Sequence, residues 1–228
     1  MKDHHQILSN TSGMNRLAII SILFTFSLIS AAQDHETAKK ILDDFSTRFN
    51  SFTSIRTNFT FTDINLREQT HDSYEGKVTF KGKKFRLNVL ESETWFDGKT
   101  LWNYLSDVNE VNISEPDPED DIIINNPFQL FASYESRFNY SFRGELNENG
   151  KIIYEIDLLP KNLDLEYSRI RIRILKNNMD LLSAKYDKKD GNHYLVEISD
   201  IEINLNLPDS YFTFKTSDHP GVEVIDLR

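Results

Sequence analysis

The chain has 228 residues, 39% of them hydrophobic and 27% charged, a balance that suits one sizeable apolar core. Its formal net charge of −10 argues against nucleic acid or any other polyanionic partner. There is no cysteine, which removes thiol nucleophiles, thiolate metal sites, disulfide stabilisation and any cysteine that could carry an acyl anchor.

Residues 1–32 read as a secretory signal peptide, with Met14 as an alternative start. From Met14 the string is MNRLAIISILFTFSLISAAQ: Arg16 at the charged end, an apolar run from Leu17 to Ile29, then Ser30, Ala31 and Ala32. About thirteen apolar residues are too few to span a bilayer comfortably, so export with cleavage after Ala32 is expected in preference to a membrane anchor. Residues 33–228 then form a single domain.

Within residues 35–50, Ala38, Ile41, Leu42, Phe45 and Phe49 recur at spacings of three and four, with Lys39, Asp43, Asp44 and Arg48 off the stripe. This is one amphipathic helix. From about residue 55 the period becomes two. Sixteen Phe and nine Tyr favour strands and large apolar surfaces. Phe59 and Phe61, Val78 and Phe80, then Phe85, Leu87 and Val89 alternate with polar neighbours. Further strands are predicted at 93–96, 100–105 and 109–113, with a turn at Asp97-Gly98, and then at 138–145, 151–159, 167–175, 181–187 and 192–205. Ile170, Ile172 and Ile174 alternate with Arg169, Arg171 and Arg173, which predicts one apolar face and three guanidinium groups in water. Tyr194, Val196 and Ile198 give way to Ile201, Ile203 and Leu205, a change of parity that a β-bulge near Ser199 and Asp200 would reconcile.

The fold class is therefore mainly β: a strongly curled antiparallel sheet of about eleven strands wrapped around one N-terminal helix. The acidic stretch 115–121, with prolines at 116 and 118, interrupts it as an exposed loop. After it, Asn126 and Pro127 can start a short helix showing Phe128, Leu130 and Phe131, a greasy flap for the sheet.

Three strings, DGKTLWNY at 97–104, NPFQLFA at 126–132 and YFTFKTSDHPGVEVID at 211–226, resemble the LolA-type periplasmic outer-membrane lipoprotein carriers in order and separation. The Glu75-Gly76 pair, read as opening a strand, and a helix just after the signal fit the same family. The resemblance implies a half-open β-barrel closed by a helical lid, whose interior takes the acyl chains of a lipoprotein. It also implies a soluble periplasmic protein acting as a monomer and without a cofactor. Cargo would come from an inner-membrane ABC transporter and pass to an outer-membrane acceptor. Where the family commonly has Arg-Pro after the second strand, with the Arg holding the lid, this chain has Lys81-Gly82, so a latch at Lys81 would be looser.

The candidate acyl-binding residues are Phe59, Phe61, Val78, Phe80, Phe85, Leu87, Trp102, Phe128, Leu130 and Phe131. Alternation places each on a face, but ordinary core packing explains them equally well. A carrier of another amphiphile, such as a glycolipid or fatty acid, fits the same scaffold. A secreted hydrolase fits less well: no histidines stand at metal-ligand spacing, no nucleophile elbow or phosphate loop is present, and His193 beside Asp187 and Asp190 reads as a hairpin tip. A transmembrane barrel would need longer strands, and the acidic loop lacks the spacing of a calcium site.

Overall fold

A computed structural model describes residues 33–115 and 134–228 of the chain. Residues 1–32, the acidic stretch from 116 and the predicted flap with Phe128, Leu130 and Phe131 lie outside the described residues. Helix α1 runs over 33–51. After it come β1 (Ile55–Asn65), β2 (Thr70–Lys81), β3 (Lys84–Val89), β4 (Ser92–Phe96), β5 (Leu101–Leu105) and β6 (Glu110–Ser114). A one-turn helix α2 (Tyr134–Arg137) leads into β7 (Phe138–Glu148), β8 (Lys151–Pro160), β9 (Tyr167–Leu175), β10 (Leu181–Lys188), β11 (His193–Ile203) and, last, β12 (Glu223–Asp226).

The twelve strands among the described residues form one sheet in the order β12-β6-β5-β4-β3-β2-β1-β11-β10-β9-β8-β7, which is not closed into a ring. Two antiparallel meanders, β1 to β6 and β7 to β11, are joined side by side where β1 pairs with β11. The twelfth strand, absent from the sequence reading, pairs with β6 in parallel. Between β11 and β12 the chain passes through two 3-10 turns, Asp209–Phe212 and Thr216–Asp218, before it enters the sheet alongside β6.

The predicted bulge is present. Arg56 pairs with Glu202 but Asn58 with Ser199, so β11 carries one residue more than β1 across this step, and Asp200 takes a positive φ of 49°. The buried Thr57 hydroxyl stitches it by donating to the Ser199 carbonyl at 2.5 Å. The extra residue resets the pleat, so that Val196 and Ile198 above and Ile203 below share the face of Phe61, Phe59 and Ile55. At the β4–β5 turn, the Asp97 carboxylate accepts from the backbone N–H groups of Lys99 and Thr100 at 2.9 and 2.8 Å, and Gly98 supplies φ 103°.

The helix stripe lands where its spacing directs it. Ala38, Ile41, Leu42 and Phe45 are buried against Tyr134, Phe138, Ile156, Leu158, Tyr167, Ile170, Ile172, Ile174, Ala184 and Tyr186. The helix thus fills the inner face of β7–β10. The Tyr134 hydroxyl donates to Asp43 at 2.6 Å, and burial with this bond raises the phenol's pKa.

The outer face of this half corrects one expectation. Arg169, Arg171 and Arg173 do not simply extend into water. Arg171 grips Asp157 with two bonds of 2.7 and 2.9 Å, while Arg169 at 3.7 Å and Arg143 at 3.5 Å approach the same carboxylate. Arg169 also binds Asp187 at 2.6 Å, and Arg173 pairs with Glu148 and Glu155. Asp157 and Asp187 are buried beneath these guanidinium groups. Burial works to raise the Asp187 carboxyl, yet the Arg169 bond and the Lys185 and Arg169 charges outweigh it and hold it below the usual carboxylate range.

Candidate functional site

The inner face of the other half is built by β11, β1, β2 and β3. The register puts Phe59 opposite Ile198 on one side and Gly76 on the other, and Phe61 opposite Val196 and Tyr74. Val78 then meets Leu87, and Phe80 meets Phe85, which in turn meets Phe96 on β4. Phe59, Val78, Phe80 and Phe85 are buried at the centre of this surface, with Phe61, Leu87, Val89, Phe96, Leu101, Val196 and Ile198 half-buried around them. Six of the predicted acyl-binding residues, Phe59, Phe61, Val78, Phe80, Phe85 and Leu87, are therefore brought together on one face. Aromatic contacts run across it: Phe80 to Phe85 at 6.3 Å, Phe85 to Phe96 at 5.5 Å and Phe61 to Tyr194 at 5.3 Å between ring centroids.

Gly76 has a role that its neighbours define. It sits within β2 and does not open a strand, which corrects the reading of the Glu75-Gly76 pair. The Phe59 ring lies over it so closely that an added Cβ would stand 2.2 Å from the ring's Cζ. Glycine here lets the aromatic ring lie flat on the neighbouring backbone.

Trp102 does not join this set. It pairs with Trp95, which pairs with Arg86, and that row belongs to the opposite, outer face. There Trp95, Val111 and Phe214 are buried with Trp102, Tyr104 and Val222 packed around them. The segment after β11 covers this face: His219 lies 4.3 Å from Tyr104 and 4.6 Å from Phe214, and the Arg86 guanidinium is sandwiched 5.1 Å from Trp95 and 4.9 Å from Tyr211. Two of the strings quoted above, 97–104 and 211–226, thus meet as a clamp on the outside of the sheet.

Lys81 ties into that same segment. Its ammonium donates to the Leu207 carbonyl at 2.7 Å and to Asp209 at 2.9 Å, and Lys84 joins Asp209 at 2.7 Å. The bonds to Lys84 and Lys81 lower the Asp209 carboxyl to about 2. The latch expected of Lys81 concerned residues 126–132, which are outside the described residues; its partners among the described residues are Leu207 and Asp209.

Sequence reasoning missed a polar shoulder beside the apolar bed. On β4 and β5 the inner-face row carries Ser92, Thr94 and Asn103, with Asn112 next on β6. The Asn103 side-chain oxygen accepts from Ser92 at 2.7 Å and Thr94 at 3.3 Å, and Asn112 donates to Glu110 at 2.8 Å. Its signal was available in the parity of Leu101, Asn103 and Leu105 against Trp102 and Tyr104, once the face was known. At the junction of the two halves, Phe45, Phe49, Phe52, Ile55, Leu181 and Ile201 border a pocket of about 40 Å³, whose edge carries the Arg48–Asp180 pair at 3.3 Å. That space takes a methyl group or two, so a longer chain needs the inner face itself.

His193 and Asp187 stand on the outer face with Nδ1 and Oδ1 3.0 Å apart, beside the hairpin turn 189–192. No group of three His, Cys, Asp or Glu arranged to hold a metal ion occurs among the described residues.

Comparison with known proteins agrees with this architecture. No curated protein matches the sequence. Among solved structures, an uncharacterized conserved protein from Thermus thermophilus superposes with TM-score 0.56 at 15% identity, covering 82% of this chain and 98% of that one. A DUF1329 family protein from Desulfovibrio piger gives TM-score 0.50 at 14% identity over 82% and 99% of the two chains. These likenesses show the fold. Residues 50–215 match the family described as "Outer membrane lipoprotein carrier protein LolA", a span from the end of α1 to the covering segment, and the chain belongs to the LolA family.

Proposed function

We propose that the chain is a periplasmic carrier that holds the acyl chains of lipoproteins on the inner face of β11, β1, β2 and β3 and shuttles them from the inner to the outer membrane. The observation that carries this reading is the pairing of one continuous aromatic and aliphatic bed, Phe59, Phe61, Val78, Phe80, Phe85 and Leu87, with the polar shoulder at Ser92, Thr94 and Asn103. A lipoprotein has the same two parts, acyl chains and a polar glyceryl-peptide head. Membership of the LolA family supports it, and the signal-like residues 14–32 support export.

Each methylene moved out of water contributes roughly 0.8 kcal/mol, so acylated cargo crosses an aqueous space only if a protein supplies a comparable surface. Transfer without a bound energy source needs cargo contacts that replace contacts the empty carrier makes with itself, so that loading and release are nearly balanced. An inner-membrane ABC transporter as donor and an outer-membrane acceptor would give the exchange its direction. No chemical step is required of the chain.

The test is purification of the exported protein from periplasm, followed by mass spectrometry of what accompanies it and titration with a synthetic triacylated lipopeptide. Co-purifying acylated peptides and saturable lipopeptide binding are expected. A preparation that carries no amphiphile and does not bind the lipopeptide, or one that hydrolyses it, overturns the reading.

A further inference from the structure

The antiparallel meanders put their turns alternately at two ends of the sheet, and the two ends differ in composition. At one end lie turns 82–83, 97–100 and 149–150 with the 176–180 connection, carrying Gly82, Lys83, Gly98, Lys99, Asn149, Gly150, Lys176 and Asn178. At the other end lie turns 66–69, 90–91, 106–109 and 189–192 and the loop 161–166. Here aliphatic side chains project outward: Leu163 is 77% exposed, Leu90 60%, Val108 59% and Leu66 54%. Among the other described large hydrophobic residues, Leu227 and, at 47%, Val224 come nearest to these values, while Ile201 and Ile203 near the opposite end are less exposed.

Leu90 carries a second anomaly. Its φ is 57°, the left-handed conformation that glycine or asparagine adopts readily and leucine does not. An exposed leucine in a strained turn gains nothing for folding from either property. The tips are held in two groups, one of Leu66 with the 161–166 and 189–192 connections and one of Leu90 with Val108. The Leu66 N–H donates to Asn192 at 3.2 Å, the Lys189 N–H donates to the Glu166 carbonyl at 2.8 Å, and the Lys189 ammonium binds the Leu163 carbonyl. The Ser106 N–H donates to the Glu91 carbonyl at 3.0 Å, which joins the Leu90 and Val108 turns.

We infer that this rim touches a lipid bilayer, with Leu66, Leu90, Val108 and Leu163 entering its interface. The inference rests on the carrier reading above and adds where cargo enters or leaves. Continuity argues for it: Val89 and Leu87 lead from the Leu90 tip directly onto the apolar bed, and Phe61 and Tyr74 lie below Leu66. An acyl chain passing from a bilayer at this rim reaches the bed without crossing water. The form of the surface favours lipid over a protein partner, because single aliphatic pegs on separate turns, with β1 and β2 running beyond the level where β3 ends, make no contiguous patch to match a protein face. Charges at the rim specify the lipid. Arg67, Lys161 and Lys189 are outnumbered by Glu68, Glu91, Asp107, Asp164, Glu166 and Asp190, so the surface suited is zwitterionic and contact is weak and reversible.

The chain has no cysteine, which makes the test direct. Single-cysteine variants L66C, L90C, V108C and L163C, with K83C as the opposite-end control, are labelled with an environment-sensitive fluorophore and mixed with phosphatidylcholine–phosphatidylethanolamine vesicles. Blue-shifted emission and protection from iodide are expected at the four tips and not at Lys83. Unchanged emission at the tips, or an equal response at Lys83, overturns the inference. Adding anionic lipid is expected to weaken the response; strengthening would overturn the charge argument. In a second arm, replacing all four by Asp is expected to cut the vesicle-bound fraction by at least about tenfold while leaving binding of detergent-dispersed lipopeptide unchanged. Loss of both is the result of a damaged fold or bed and counts against the rim. Leu90→Gly provides the check on structure: higher melting temperature with weaker vesicle contact supports the inference, and unchanged contact opposes a role for Leu90. Failure of lipopeptide binding in the unmodified protein overturns the carrier reading, whereas failure of the vesicle response alone overturns only the rim.

Discussion

The two halves of the one sheet are finished differently. On β7–β10 the inner residues Ile156, Leu158, Ile170, Ile172 and Ile174 are sealed under α1, and even the carboxylates on the outside, Asp157 and Asp187, are buried under arginines. On β11 and β1–β3 the inner bed keeps a half-buried margin of Phe61, Leu87, Val89, Val196 and Ile198. The first half has the packing of a core that supplies stability. The second has apolar area that folding alone does not fully use, which is what a binding surface must keep in reserve.

That contrast can be broken by mutation. In the sealed half, Ile172→Ala should cost about 3–5 kcal/mol, read as a lower denaturation midpoint with lipopeptide binding retained in the folded fraction. Asp157→Ala should cost about 2–3 kcal/mol, because three guanidinium groups lose their shared carboxylate; they keep partial access to water, so the loss falls below that of a fully buried pair. In the open half, Gly76→Val should cost about 1–3 kcal/mol by displacing the Phe59 ring, and should also weaken lipopeptide binding. Leu87→Ala should cost about 1 kcal/mol in stability and weaken lipopeptide binding severalfold; equal losses in both halves would dissolve the distinction.

The smallest effect concerns the outer clamp and is set by pH. Asp209 has its pKa lowered from 3.8 to about 2 by Lys84 and Lys81, so its contribution is fully present above about pH 4 and is lost as pH falls through about 2. Asp209→Asn should flatten the acid limb of stability there by lowering the neutral-pH value towards the acid one, and by only a small amount because the site is exposed to solvent.

The helix stripe, the alternation of β1–β3 and the bulge at Asp200 were legible because each is a local periodicity, and local periodicity follows from backbone geometry alone. Trp102 was misplaced for a physical reason. The outer face of β4 and β5 is covered by a segment more than a hundred residues away in sequence, while their inner row is largely polar, so an apolar residue there no longer marks the inside. The same remote covering hid β12, whose pairing with β6 depends on where the chain returns. The arginine row read as solvated because a charge reveals nothing of its partner, and Asp157 comes from a different strand. Of the bed itself, six residues were legible as sharing a face, while Ser92, Thr94 and Asn103 were not, since their parity on β4 and β5 becomes informative only once it is known which face of those strands is the inner one.

In a closed barrel the number of strands and their stagger fix the circumference, and with it the volume inside. Here β7 and β12 are the two end strands and do not pair with each other. No ladder between β7 and β12 therefore fixes the circumference, and widening the sheet would cost curvature together with the contacts α1 makes across it, Phe49 against Phe80 among them. Under the proposed function, a scaffold of this kind would not need a preformed void of fixed size to take acyl chains of different number or length.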